Sequence, residues 1–271
     1  MQRHLHEDQF SEQHDFPANT PIEKTLVVAS TPRCGSHMLG YQLYETGAFG
    51  FPLEYANHRN LRKWKQRFEE EDTRAIFQNL KALRTSPNGV FSMKLHYSHL
   101  DVVGGIDQVL KDFPNPHFVI LTRNNHLKQA VSYSIARQTG VWFAGMQATT
   151  TDPQYDFEDI DHCLRETLRD NAAWRYVLAS RGCRYIHMSF EEVRSDPHAA
   201  IQRVADFMGV EVSPDQFPAQ EATEKQSNTL NKEWLERYLQ DCQSGSELFP
   251  STDPGIAQRV KRKLVGVMKA G

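Results

Sequence analysis

The run Ser30-Thr31-Pro32-Arg33-Cys34-Gly35-Ser36-His37 gathers an arginine, a serine and a histidine around one glycine, directly after the apolar stretch Leu26-Val27-Val28-Ala29. That order predicts a strand, a tight loop and a helix N-terminus. At such a junction backbone N–H groups and the positive end of a helix dipole converge. Gly35 allows backbone to approach a ligand, and Arg33 and Ser36 add donors. The chemistry is anion binding. The common phosphate loop, G-x-x-x-x-G-K-[ST], has a lysine followed by a magnesium-binding hydroxyl. This run has neither the lysine nor the first glycine, which disfavours a magnesium-dependent NTPase.

A second set of donors lies further along. The continuous apolar run His117-Phe118-Val119-Ile120-Leu121-Thr122 ends at Arg123, and Ser132 follows nine residues later on the next helical stretch. Taken singly, Arg123 is a capping or salt-bridging arginine and Ser132 a hydroxyl bonded to its own helix. Together they can grip a phosphate through charge-assisted hydrogen bonds. Two such grips on neighbouring strand ends suit a nucleotide phosphorylated at both ends of its ribose. Glu54, on the loop after the first helix, reads by itself as an exposed carboxylate, and beside a bound ligand as a general base. Lys94, ending the next strand, belongs on the rim of the same cleft. His96 and His99 are spaced like a metal pair but lack a third clustered ligand, so they read as a polar strand end. His37 is open to two roles, phosphate donor or helix cap, and Cys34 to two, activated thiol or small filler.

These groups need a frame. Strands are expected over 26–29, 90–95, 117–122 and 183–188. Helices are expected over 36–46, 61–71, 73–84, 100–111, 127–138, 159–181, 197–208, 234–240 and 256–268. The alternation of strand and helix argues for a parallel sheet covered by helices on both sides, with 117–122 central and ligands at the C-terminal strand ends. Residues 1–22, polar and ending in prolines, read as a flexible N-terminal arm, and 23–271 as one domain.

Composition narrows the function. The chain has 271 residues, 39% hydrophobic and 24% charged, with a formal charge of −3. That is enough for one large α/β core, and it leaves no general basic footprint for nucleic acid. The four cysteines stand far apart without C-x-x-C spacing, which suits free thiols and argues against structural zinc. No apolar run approaches a membrane span, and the N-terminus is not signal-like, so a cytoplasmic protein is expected.

The segment from Thr31 to His37 resembles the 5′-phosphosulfate loop of the sulfotransferases that use 3′-phosphoadenosine-5′-phosphosulfate (PAPS), in the branch typified by bacterial trehalose 2-sulfotransferase and the Nod-factor sulfotransferases. Arg123-Asn124-Asn125 through Ala130-Val131-Ser132 is similar to the family's 3′-phosphate motif, and Ala136-Arg137-Gln138-Thr139 with Trp142 to the segment after it. Pro52-Leu53-Glu54-Tyr55, Lys94-Leu95 and Lys225-Gln226 upstream of Glu233-Trp234 add further likeness, from about residue 25 to about 240. His37 and Cys34 depart from the commoner residues while leaving the backbone cradle intact.

The resemblance implies a P-loop-like three-layer α/β/α sandwich with a central, mainly parallel sheet. It also implies sulfuryl transfer from PAPS to a hydroxyl of a carbohydrate or glycolipid, without metal, by a homodimer. Arg33, Cys34, Gly35, Ser36 and His37 would bind the 5′ end of the donor, and Arg123 and Ser132 the 3′-phosphate. Arg33 would stabilise the departing 3′,5′-bisphosphate, and Glu54 would be the base. Lys94, on the cleft rim, would neutralise the transferring group or position the acceptor, and Tyr55, Tyr97 and Trp142 are open to two roles, stacking on a sugar acceptor or packing in the core. Two other readings stand beside this one: a non-catalytic binder of bisphosphorylated nucleotides, and a small-molecule kinase with a degenerate loop.

Overall fold

A computed structural model describes residues 9–17, 19–142, 146–218 and 229–243. Four strands, β1 (Lys24–Ser30), β2 (Val90–His96), β3 (Pro116–Thr122) and β4 (Arg184–Ser189), form one parallel sheet in the order β2-β1-β3-β4. β1 and β3 are the inner strands, as their unbroken apolar runs require. Alternate residues point to opposite faces. Val27, Ala29, Phe91, Met93, Phe118 and Ile120 pack into one core with Trp64 and Trp174. Leu26, Val28, Val90, Val119 and Leu121 pack into a second core with Leu39, Leu43 and Val204.

The helices covering these faces are α1 (Ser36–Glu45), α2 (His58–Phe68), α3 (Thr73–Arg84), α4 (Ile106–Asp112), α5 (His126–Thr139), α6 (Phe157–Ala179), α7 (Phe190–Ser195), α8 (Pro197–Met208) and α9 (Thr229–Gln243). The result is the three-layer α/β/α arrangement expected from the pattern. Register decides what meets what: Ser30 lies opposite His96, Val28 opposite Lys94, and Thr122 opposite Ser189. The C-terminal ends of all four strands therefore share one edge, where β1 feeds its loop into α1.

Three expectations differ from the structure. The helix expected over 100–111 is two short 3₁₀ turns, Tyr97–His99 and Asp101–Val103, followed by α4, because Gly104 and Gly105 take φ of 79° and 85° and break the helical path. α7 was not expected. A reciprocal cap makes it: Ser189 Oγ accepts from Glu192 N–H at 3.1 Å, and Glu192 Oε2 accepts from Ser189 N–H at 2.6 Å. Finally, where a flexible arm is expected over residues 1–22, the described part is anchored. Arg84, fully buried, donates to the carbonyls of Gln9 and Ser11 at 3.0 and 3.1 Å and pairs with Asp15, which also takes Arg67. The buried guanidinium needs those acceptors, so it draws the chain in. The helix expected over 256–268 lies outside the described residues.

Candidate active site

Gly35 begins α1 with φ of 90° and supplies no side-chain cap. Asn57, Asp72, Asn125, Asp156, Ser189 and Asp196 each cap a helix start with a side-chain oxygen, whereas α4, begun by Gly105, shares with α1 the lack of one. The first turn of α1 is thus left able to serve a ligand. Gly35 is required twice over. Its φ suits glycine, and a Cβ there would lie 2.2 Å from Cδ2 of Phe190. Arg33 also has positive φ, 64°, a strained value for a non-glycine residue. Its Nε donates to Ser132 Oγ at 3.0 Å and its Nη1 to the Trp142 carbonyl. The arginine of the first predicted grip and the serine of the second are therefore in direct contact.

Arg123 follows β3, half-buried, with its guanidinium 5.1 Å above the Phe190 ring. Its Nε is buried without a hydrogen-bond partner. Asn124 N–H donates to Glu191 Oε2 at 3.0 Å, which brings a carboxylate near the guanidinium. Burial, and then the nearness of Arg123, bring Arg33 down to about 10, against an opposing effect of Cys34. Burial also lowers Arg123, with Glu191 opposing it. Both stay charged at neutral pH. Two cations crowded at an uncapped helix start form a place for an anion.

Glu54 lies on the loop after α1. That loop is stitched to the sheet: Leu53 bridges Met93, and Lys94 N–H donates to the Leu53 carbonyl at 2.7 Å. Glu54 therefore sits beside the end of β2. Its Oε1 lies 3.1 Å from Lys94 Nζ, 3.3 Å from His96 Nε2 and 3.6 Å from His37 Nε2. Its Oε2 accepts from Asn57 Nδ2 at 3.4 Å. The side chain is 13% exposed, so the exposed-carboxylate reading fails. Burial pushes the Glu54 carboxyl up, but Lys94, then His96 and His37, override it and hold it well below the usual carboxylate range. Burial lowers Lys94 and Glu54 opposes it. Since His37 belongs to the loop, the acid is tied to the anion cradle.

The other expected residues divide. Cys34 and Ser36 are buried in the cradle, and burial pushes the Cys34 thiol up, the opposite of an activated thiol. Lys94 is buried with its Nζ on Glu54 Oε1. Tyr55 is a correction: it is fully buried, donates its hydroxyl to the Phe51 carbonyl and packs on Trp64 and Phe91. Residues 53 and 55 alternate into the core while 54 faces the site. Tyr97 packs edge-on against Trp174. His96 Nδ1 lies 3.1 Å from Ser30 Oγ, so both its nitrogens are engaged without a metal. Among the described residues, no group of three or more His, Cys, Asp or Glu side chains is disposed to hold a metal ion. Lys225 and Gln226 lie outside the described residues.

Sequence reasoning missed Phe190, which touches both grips, and Gln129, whose Nε2 donates to Thr31 Oγ1 and to the Pro32 carbonyl. The S-x-x-E pattern from Ser189 to Glu192 was the available signal for the first. Gln129 precedes Ser132 by three residues and so shares its helix face. A separate polar cavity, lined by Arg137, Gln154, Tyr155 and Arg237 among others, includes none of the loop residues. Among the described residues no helix is long and apolar enough to cross a membrane.

Residues 25–241 match the family model of the Stf0 sulphotransferases. Trehalose 2-sulfotransferase of Mycobacterium tuberculosis is 28% identical over 258 aligned residues, covering 79% of this chain and 94% of that protein. Among solved structures, the sulfotransferase domain from the curacin biosynthetic pathway aligns with a TM-score of 0.45 at 13% identity, covering 92% of this chain and 99% of that one. Sulfotransferase STF9 from Mycobacterium avium aligns with a TM-score of 0.46 at 14% identity, covering 90% and 81%.

Proposed function

The chain belongs to the Stf0 sulphotransferase family, and from that premise we propose that it moves a sulfuryl group from PAPS to a hydroxyl of a carbohydrate or glycolipid. The sugar acceptor is drawn from the mycobacterial relative, a trehalose 2-sulfotransferase. The donor rests on one observation above all: Arg33 and Arg123 stand together beside an uncapped helix start, with a buried Arg123 nitrogen lacking any partner. A donor with phosphate at both ends of one ribose supplies acceptors for both guanidinium groups. The same reading takes the enzyme as a cytoplasmic homodimer.

The step is an in-line transfer. The acceptor oxygen bonds to sulfur as the sulfur–oxygen bond to the 5′-phosphate breaks, and the acceptor proton goes to a base. Arg33 and the first N–H groups of α1 stabilise the charge growing on the leaving 3′,5′-bisphosphate. Glu54 takes the proton. Its depressed carboxyl is ionised and so able to accept a proton in the neutral range, at the cost of a lower proton affinity, and Lys94 and His96 fix Oε1 in place. The buried, cation-locked acid favours an enzyme over a passive nucleotide binder, because binding a nucleotide anion gains nothing from a carboxylate beside its loop.

Calorimetry without magnesium tests the donor. Adenosine 3′,5′-bisphosphate is expected to bind in preference to ADP and ATP, and Arg123→Ala to weaken it by about ten- to a hundredfold. No preference, or a preference for ATP only with magnesium, would overturn the reading.

A further inference from the structure

Residues 30–33 are fastened from beneath at every position. Trp174 Nε1 donates to the Ser30 carbonyl at 3.2 Å. Thr31 Oγ1 accepts from Gln129 Nε2 at 2.9 Å and donates to Asn171 Oδ1 at 3.5 Å. The same Gln129 nitrogen donates to the Pro32 carbonyl at 2.7 Å. Arg33 Nε reaches Ser132 Oγ at 3.0 Å. Gln129 and Ser132 stand three residues apart on α5, so one helix face holds both the backbone and the arginine of the loop.

Gln129 is fully buried, and its Oε1 has no partner. An apolar side chain of the same shape would avoid that orphaned oxygen, so packing alone does not account for an amide at this position. What the amide does provide is a donor to the Pro32 carbonyl. The next residue, Arg33, carries the strained φ of 64°. Flipping the Pro32–Arg33 peptide plane would bring φ of Arg33 to an ordinary negative value and relieve that strain. In a trans peptide the carbonyl and the following N–H point in opposite senses. A flip would therefore turn an acceptor outward where the loop now turns a donor outward, and an anion site would lose a favourable dipole and gain an opposing one.

We propose that Gln129 is a positioning residue for the 5′ end of the donor: its bond to the Pro32 carbonyl holds the Pro32–Arg33 peptide in the strained orientation that keeps the loop set for an anion. This rests on the reading of that loop as the PAPS 5′ site. The geometry ties loop shape to α5, which also carries Ser132, so the two ends of the donor are recognised by parts of one braced unit.

The test compares two ligands on one protein. Adenosine 3′-monophosphate reports the grip of Arg123 and Ser132, and its affinity ratio to adenosine 3′,5′-bisphosphate reports the loop. In Gln129→Met, which keeps length and helix propensity while removing the donor, the ratio is expected to fall at least tenfold with 3′-monophosphate affinity held within about twofold. Both ligands sample the same folded fraction, so partial unfolding cancels in the ratio. Gln129→Leu gives the same readout in a second side-chain shape. Thr31→Val removes only the hydroxyl link and is expected to lower the ratio less than Gln129→Met does. An unchanged ratio in Gln129→Met, an equal loss for both ligands, or a Thr31→Val loss as large would overturn the proposal. A wild-type protein that fails to prefer the bisphosphate over the 3′-monophosphate would instead defeat the donor reading, and this proposal with it.

Discussion

Replacing Glu54 by glutamine keeps the shape of the side chain and one hydrogen-bonding oxygen but removes the charge that faces Lys94, His96 and His37. Lys94 has no exposed side-chain surface, and its nitrogen lies 3.1 Å from Glu54 Oε1. At an effective dielectric constant near 20, a pair at that distance attracts with an energy on the order of 5 kcal/mol before desolvation is counted. Removing one partner of a buried pair leaves the other uncompensated, and a loss of about 3 kcal/mol is expected, or about 6–12 °C in Tm. Scanning calorimetry across pH checks the electrostatic origin. The Glu54 carboxyl is held well below its ordinary value in the fold. Its contribution is therefore fully present above the unfolded-state value of about 4.3 and is lost as pH falls from there toward the folded value. The difference in Tm between wild type and Glu54→Gln should shrink as pH falls below about 4.3. Adding Lys94→Met to Glu54→Gln should recover part of the stability, since a pair replaced together leaves no lone charge. Turnover should fall by on the order of a hundredfold in both variants, with bisphosphate affinity of the single variant near wild type. A level Tm difference down to pH 3, or a double variant no more stable than the single one, would refute the electrostatic argument. Retained turnover would remove Glu54 from the chemistry.

Two further outcomes follow from the cradle. Gly35→Ala combines a positive φ with a Cβ placed 2.2 Å from Phe190, and is expected to cost about 2 kcal/mol or more and to abolish bisphosphate binding. Adding Phe190→Ala should restore the part of the stability due to the clash and leave the part due to φ, and wild-type binding by Gly35→Ala alone would contradict the model of the loop. Cys34 and Cys163 are buried, whereas Cys183 and Cys242 are partly exposed. Mass spectrometry after brief alkylation of the native protein at neutral pH should find label on Cys183 and Cys242 before Cys34 or Cys163. Early labelling of Cys34 would mean that the loop opens or that its thiol is activated.

Local chemistry made much of this protein legible in one dimension. A strand buried on both faces must be apolar throughout, which is why 117–122 reads as central, and a glycine between a strand and a helical stretch marks the turn from β1 into α1 without any knowledge of its neighbours. The places of Arg123, at the end of β3, and of Ser132, on the helix that follows, were readable for the same reason, since both depend on where a strand stops and the next helix starts. The helix over 197–208 is bounded by Pro197 at its first turn and Gly209 at its end, signals that act within a few residues. The boundaries that went astray, at Gly104 and Ser189, were set by equally local cues that a pattern of apolar residues does not register.

What lay beyond local chemistry was the company each side chain keeps. Glu54 is forty residues from Lys94, and only the register that sets Val28 against Lys94 and bridges Leu53 to Met93 converts a loop carboxylate into a buried, cation-locked acid. The same stitch turns Tyr55 inward, because side chains alternate along an extended segment. Phe190 meets Gly35 and Arg123 because three strand ends share one edge, and Gln129 meets Thr31 across 98 residues because α5 packs against the loop. Propensity and sterics act over a few residues and so are written in the chain. Partners, burial and the titration behaviour that follows from them are settled only when strand register brings distant residues into one low-dielectric neighbourhood.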